Sequence, residues 1–185
     1  IEKTADIFNK KGYAGTSLSD LTAATGLSKG SIYGNFTNKE EVALSVFEYN
    51  CSKLTDLVQK KIDQAPNFHD KLMAYANIYR KIIRGGINSG GCPILNTATE
   101  ADDTNIPLKE RAAAALLAWK NKIQQLIKDG ITAGEFKAEV SVDQMALSIV
   151  SLIEGGVMIA KVTGKPENMD AILCTVEQLI SQMKN

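Results

Sequence analysis

Thr16-Ser-Leu-Ser-Asp-Leu-Thr-Ala-Ala-Thr-Gly-Leu-Ser-Lys-Gly-Ser-Ile-Tyr-Gly-Asn-Phe-Thr-Asn-Lys39 reads as two short helices joined by a tight turn. Ser17 is suited to cap the first helix, and Asp20, three residues on, completes the spacing of a capping box. Leu18, Leu21 and Ala24 then share one helical face. Gly26 ends that helix, because glycine enters the left-handed conformation without steric cost. Ser28 caps the second helix, to which Ile32 and Phe36 give an apolar side at i, i+4.

The other side of the second helix is polar. Lys29, Gly30, Ser31, Tyr33, Gly34 and Asn35 supply a cation, hydroxyls, an amide and two positions with no side chain. Short donors and acceptors on such a face read base edges in a major groove, and glycines let the backbone approach phosphates. Lys29 is a donor suited to guanine O6 and N7, and Asn35 is suited to adenine. Lys39 opens a further helix whose N–H groups face the same way.

Three segments carry a family resemblance: Gly-Tyr-Ala-Gly-Thr-Ser (12–17), Thr-Gly-Leu-Ser-Lys-Gly-Ser-Ile-Tyr-Gly-Asn-Phe (25–36) and Asn-Lys-Glu-Glu (38–41). In this order and without gaps they resemble the DNA-binding domain of the tetracycline-repressor (TetR) family. The resemblance implies that Ser17, Tyr33 and Lys39 contact phosphate, and that Ser19, Lys29, Ser31, Gly34 and Asn35 approach bases, with Gly30 in the same set. Gly34 stands where a larger, often aromatic residue is usual, and Asn35 where His is frequent. Both departures bear on the operator sequence.

Composition bounds the remaining readings. The 185 residues carry zero formal net charge, and 44% are hydrophobic. Residues 1–47 balance lysines 3, 10, 11, 29 and 39 against acids 2, 6, 20, 40 and 41, so the head itself is not basic. Phosphate binding would then lean on helix N-termini at Ser17, Ser28 and Asn38. No apolar run suggests a membrane span, and no signal peptide is visible. The chain starts at Ile1 inside a helical pattern, so further residues are expected before it. Cys51, Cys92 and Cys174 are far apart, and His69 is the single histidine, which leaves no zinc set and fits a reducing cytoplasm.

Along the chain the periodicity predicts an all-α protein of about nine helices. Residues 1–11 form an amphipathic helix stopped at Gly12, with Tyr13 plugging a three-helix core. A long helix over 38–64 links the head to the rest, followed by helices over 68–84, 92–101, 107–129, 142–162 and 167–183. A flexible loop is expected at 85–91. The domain reading is a DNA-binding head over 1–45 and an effector-binding and dimerisation domain over 46–185.

Three further groups are candidates. By resemblance, an effector pocket lies in the second domain, and Tyr75, Tyr79, Cys92, Asn96, Glu100, Trp119 and Lys122 are its candidate lining. Cys92 at a helix N-terminus would also suit an electrophile or oxidant sensor, the alternative reading. Gly155-Gly156 in an apolar helix calls for a close helix neighbour. Ile149, Ile153, Gly156, Val157, Val176, Leu179 and Ile180 are accordingly the candidate interface of a two-fold homodimer, a state the family resemblance also implies. No residue pattern suggests catalysis, a metal or a cofactor. The sequence thus points to a cytoplasmic, ligand-responsive repressor released from a palindromic operator on double-stranded DNA by a small apolar or amphipathic effector. An enzyme or lipid-binding helical domain with a vestigial head is the remaining rival.

Overall fold

The computed structural model describes residues 1–85 and 90–185; residues 86–89 of the loop expected at 85–91 lie outside the described residues. Among the described residues there are nine helices: α1 (Glu2–Gly15), α2 (Leu18–Thr25), α3 (Lys29–Tyr33), α4 (Lys39–Gln64), α5 (Phe68–Ile83), α6 (Pro93–Ala101), α7 (Ile106–Thr132), α8 (Val142–Thr163) and α9 (Pro166–Gln182). No strand is present among them, only an isolated bridge between Phe136 and Lys184. The expected all-α class holds.

Most helix ends fall where local chemistry placed them. Two differ for identifiable reasons. The first helix does not stop at Gly12. It breaks there, at φ 72° and ψ −176°, and resumes for one short turn to Gly15. The helix expected to end near Gly130 runs through it to Thr132. A Cβ at Gly130 would lie 2.3 Å from Cδ2 of Phe136, so this glycine makes room for a ring that is fully buried.

The chain divides into two compact units. One comprises Ile1–Leu54 and Asn88–Ala115, the other Thr55–Ile87 and Leu116–Asn185. The first therefore extends beyond the 1–45 segment set by the motif, because it also takes in α6. Helices α4 and α7 each contribute to both units.

In the first unit, Ala5 and Phe8 of α1, Leu21 of α2, Ile32 of α3 and Val42, Val46 and Phe47 of α4 are buried. Each of these side chains other than Ala5 contributes about 1.5–3 kcal/mol of transfer free energy. Asn50 Nδ2 donates to the Ala5 carbonyl at 3.1 Å, which fixes α4 on α1 through a buried bond. Tyr13 does not plug this core. It is half-buried, and its ring lies under the Lys39 ammonium, 4.2 Å from centroid to Nζ.

In the second unit α8 packs along α9, and both pack on α5. Most of the candidate interface residues lie in this core. Ile149, Ile153, Gly156 and Val157 of α8, with Val176 and Ile180 of α9, are buried within this chain's own core. Leu179 keeps partial exposure. A Cβ at Gly156 would lie 2.6 Å from Met169 Sδ, so the close neighbour of this glycine is α9 of the same chain. The apolar side chains of α8 that reach solvent are instead Leu147, Met158, Ile159 and Val162.

By length and composition α8 is apolar enough to cross a membrane, contrary to the reading of the sequence alone. One face of it packs against α5 and α9. On the polar side of this bundle, Arg80 pairs with Asp170 at 3.2 Å and Glu177 at 2.7 Å, and Arg84 pairs with Asp170 at 2.6 Å.

Candidate nucleic-acid interface

The two-helix motif is built from its caps. Ser17 Oγ accepts from the Asp20 amide at 3.1 Å, and Asp20 Oδ2 accepts from the Ser17 amide at 2.8 Å. The reciprocal box satisfies two of the free N–H groups at the start of α2. Asp20 Oδ1 also pairs with Lys11 Nζ at 2.7 Å. That ammonium first, then the Ser17 amide and hydroxyl, hold the Asp20 carboxyl down at about 2. Gly26 ends α2 in the left-handed conformation (φ 72°), its amide returning to Thr22 O. Ser28 then caps α3 by accepting from the Ser31 amide at 3.1 Å.

Helix α3 buries one side chain fully, Ile32, with Phe36 half-buried beyond its end. Lys29, Gly30, Ser31, Gly34 and Asn35 are all exposed, and Tyr33 is half-buried. Gly30 and Gly34, four residues apart, leave a strip of bare backbone between the polar groups. Gly34 is right-handed (φ −74°), so its absent side chain matters for access rather than backbone conformation. Two of the polar groups are pre-set by local bonds: Ser31 Oγ meets Ser28 Oγ at 3.0 Å, and Asn35 Nδ2 donates to Ser31 O at 3.0 Å. Ser17 and Ser19 are exposed at the start of α2.

Lys39, for which the resemblance implies a phosphate contact, is bonded within the chain. Its Nζ donates to Tyr13 O at 2.8 Å and to Thr16 O at 3.0 Å, so the ammonium ties the loop between α1 and α2 to the start of α4. Asn38 caps α4 by accepting from the Glu41 amide at 2.9 Å. Glu41 in turn accepts from the Thr37 amide, and that bond holds its carboxyl below the usual range.

The pocket candidates separate. Tyr75, Tyr79 and Trp119 come together in the second unit. The indole stacks on Tyr79 with centroids 5.3 Å apart and planes at 7°, and lies 6.1 Å from the Tyr75 ring. Trp119 Nε1 is buried and has no hydrogen-bond acceptor among the described residues. Burial pushes the Tyr75 phenol well above its ordinary value. Lys122 is exposed.

Cys92, Asn96 and Glu100 belong to the first unit. Asn96 and Glu100 do not serve the aromatic cluster. They bond to α1, Asn96 Nδ2 to Asn9 O at 2.9 Å and Glu100 to the amides of Tyr13 and Ala14 at 2.8 Å each. Cys92 is 0% exposed, which closes it to solvent oxidants and disfavours the redox reading. Sequence reasoning missed Asn9 and the α1 attachments of Asn96 and Glu100. The partners are more than 80 positions apart, and no local pattern marks them.

A model of bacterial regulatory proteins, tetR family, matches residues 1–46, and one of the tetracyclin repressor-like C-terminal domain matches 69–176. A crystal structure of a TetR-family transcriptional regulator from Cytophaga hutchinsonii is 41% identical, with TM-score 0.95 over 99% of this chain and 92% of that one. A TetR transcriptional regulator from Chloroflexus aurantiacus J-10-FL is 37% identical, with TM-score 0.92 over 98% of this chain and 92% of that one. The HTH-type transcriptional repressor DhaR of Mycobacterium sp. (strain GP1) is 24% identical over 100% of this chain and 92% of its own length. With both models matched and the capped two-helix motif in place, this chain belongs to the TetR family of bacterial DNA-binding transcriptional regulators.

Proposed function

We propose that this regulator is a repressor that leaves a palindromic operator when a small apolar or amphipathic molecule binds the second unit. The observation that carries the DNA half is α3. A five-residue helix, capped at Ser28 and anchored by Ile32, presents Lys29, Gly30, Ser31, Gly34 and Asn35 to solvent. Such a helix seats in a major groove with donors and acceptors at base-edge height. Proteins of this fold have been solved with each kind of partner. A cysteine mutant of CifR, 19% identical with TM-score 0.76, is complexed with 26-bp double-strand operator DNA. FadR from Bacillus subtilis, 20% identical with TM-score 0.78, is in complex with stearoyl-CoA.

The aromatic cluster supports the effector half. Trp119, Tyr79 and Tyr75 form a largely apolar wall, and the buried indole N–H has no acceptor among the described residues. A buried donor without a partner costs about 1–3 kcal/mol, which an acceptor on a bound molecule would recover. A homodimer fits this reading, since two heads are needed for the two half-sites of a palindrome, about 34–36 Å apart. Exposed Leu147, Met158, Ile159 and Val162 on α8 are the apolar groups available for it.

The test is selection of operator sites from random DNA, followed by titration of candidate effectors into the protein–DNA complex. Trp119 is the chain's one tryptophan, so its fluorescence reports the second unit without labelling. Enrichment of an inverted repeat, and its release together with a change in Trp119 emission, is the expected result. A protein that enriches no sequence, or whose emission is unmoved by a molecule that releases DNA, overturns the corresponding half.

A further inference from the structure

Gly12 is the point where α1 breaks, and its φ of 72° with ψ of −176° is a combination that only glycine adopts without strain. The break turns the next two amides outward, and both donate to one carboxylate. Tyr13 N reaches Glu100 Oε2 and Ala14 N reaches Glu100 Oε1, each at 2.8 Å. The fit is close: a Cβ at Gly12 would lie 2.2 Å from Glu100 Oε2. One turn earlier on both helices, Asn96 Nδ2 donates to Asn9 O at 2.9 Å and Asn9 Oδ1 at 3.1 Å, while Asn9 Nδ2 donates to Gly91 O at 3.2 Å. Thus α6 grips α1 at two successive turns.

The same loop is held from its other side. Lys39 takes the carbonyls of Tyr13 and Thr16, and the Thr16 hydroxyl closes on Gly12 O at 2.6 Å. Residue 17, next in the chain, is the cap of α2. A carboxylate on the amides and an ammonium on the carbonyls therefore fix the peptide from which α2 and α3 are launched. Bonds to charged groups are stronger than neutral ones, and two parallel bonds also fix orientation.

We propose that Glu100 is a positioning residue of the DNA-reading head: by holding the Tyr13 and Ala14 amides it sets the angle of α2 and α3 on α1, so operator affinity depends on this carboxylate. The proposal rests on the reading that α3 contacts DNA. It adds to that reading a residue that acts through the backbone of the head and not through a contact with bases.

The experiment uses the full chain, the operator recovered by selection, and a scrambled duplex of equal length. Glu100→Gln keeps the size of the side chain and one acceptor oxygen; Glu100→Ala removes both. Circular dichroism first establishes that each variant is folded at the assay temperature. Operator Kd is expected to rise about tenfold or more for Glu100→Ala, with Glu100→Gln between it and wild type, while Kd for the scrambled duplex is unchanged. Exchange of the Tyr13 and Ala14 amides with solvent deuterium is expected to accelerate in the same order. A role confined to stability would leave the Kd of the folded protein alone. Folded variants that bind the operator as wild type does, or that lose both duplexes equally, overturn the proposal. A variant that cannot be purified folded leaves Glu100→Gln to decide. Should wild type itself enrich no sequence, the DNA reading fails first, a result distinct from equal binding by wild type and variants.

Discussion

Gly155 and Gly156 are adjacent in α8, yet alanine is expected to have opposite effects at the two positions. Glycine in a helix interior costs about 1 kcal/mol relative to alanine. At Gly155 a Cβ would meet nothing within 4 Å, so Gly155→Ala recovers most of that, about 0.5–1 kcal/mol. At Gly156 the added carbon would lie 2.6 Å from Met169 Sδ and 3.4 Å from Ile172 Cγ2. Met169 is 1% exposed, so its sulfur can yield only by disturbing its own packing. Overpacking of this kind costs about 1–3 kcal/mol, which outweighs the gain in propensity and leaves Gly156→Ala destabilised by roughly 1 kcal/mol.

The two variants should therefore differ by about 1.5–2 kcal/mol, or roughly 3–8 °C in Tm for a chain of this size. Urea unfolding followed by circular dichroism, run at two protein concentrations tenfold apart, separates this difference from any contribution of self-association. If Gly156→Ala proves as stable as Gly155→Ala, α9 does not approach α8 as closely as the structure has it. The account of the buried α8 face then fails.

Three further outcomes are expected. Lys29→Ala and Asn35→Ala should each relax operator specificity at about one base position, by about 1–3 kcal/mol, whereas Tyr33→Phe should weaken all sequences similarly. Equal losses on every operator variant for all three would remove that assignment. Asp20, held at about 2 chiefly by Lys11, contributes its stabilisation above the ordinary carboxylate pKa of about 3.9 and loses it as pH falls through about 2. Asp20→Asn should accordingly flatten the acid limb of the head's stability between those values, read from amide exchange in α2 against pH. Arg80→Ala removes two of the pairs that join α5 to α9 and should cost about 1 kcal/mol, less in 0.5 M salt, because the groups are about 30% exposed. No loss in low-salt urea unfolding would mean that the pairs are incidental.

The parts of the fold that the sequence disclosed are those decided within a few residues. Ser17 with Asp20 and Ser28 with Ser31 form their caps between groups three positions apart, and the Gly26 amide returns to Thr22 O four positions back, so the motif and its exposed face were legible from spacing. Long-range partners were not. Glu100 looks like any carboxylate on a short amphipathic helix until α6 lies against α1, 87 positions away. The two faces of α8 were hard to assign for a related reason. Helix α8 is apolar on most of its circumference, so periodicity could not tell the face turned to α9 from the face turned to solvent. Ile149, Ile153 and Val157 are buried, and Leu147, Met158 and Val162 are exposed. Tyr75 and Tyr79, one turn apart, were legible as a pair; that Trp119 stacks on them was not, since it comes from another helix.

The neutral head now has a physical account. Its lysines are not a uniform field for phosphates. Lys11 is committed to Asp20 and Lys39 to the loop carbonyls, and both bonds stiffen the approach to α2. Lys29, at the start of α3, is exposed and has no ion-pair partner among the described residues. Phosphate neutralisation provides the sequence-independent part of DNA affinity, about one counterion released per contact. A head that invests its charges in its own architecture gives up much of that term. On the proposed reading of α3, what remains would be weighted toward directional contacts from Ser17, Ser31, Tyr33 and Asn35 and from the backbone laid bare at Gly30 and Gly34. Such contacts depend on angle far more than a charge does. A head of this kind gains more from being held rigidly, and loses more when the Glu100 bonds to Tyr13 and Ala14 are broken, than a basic one would.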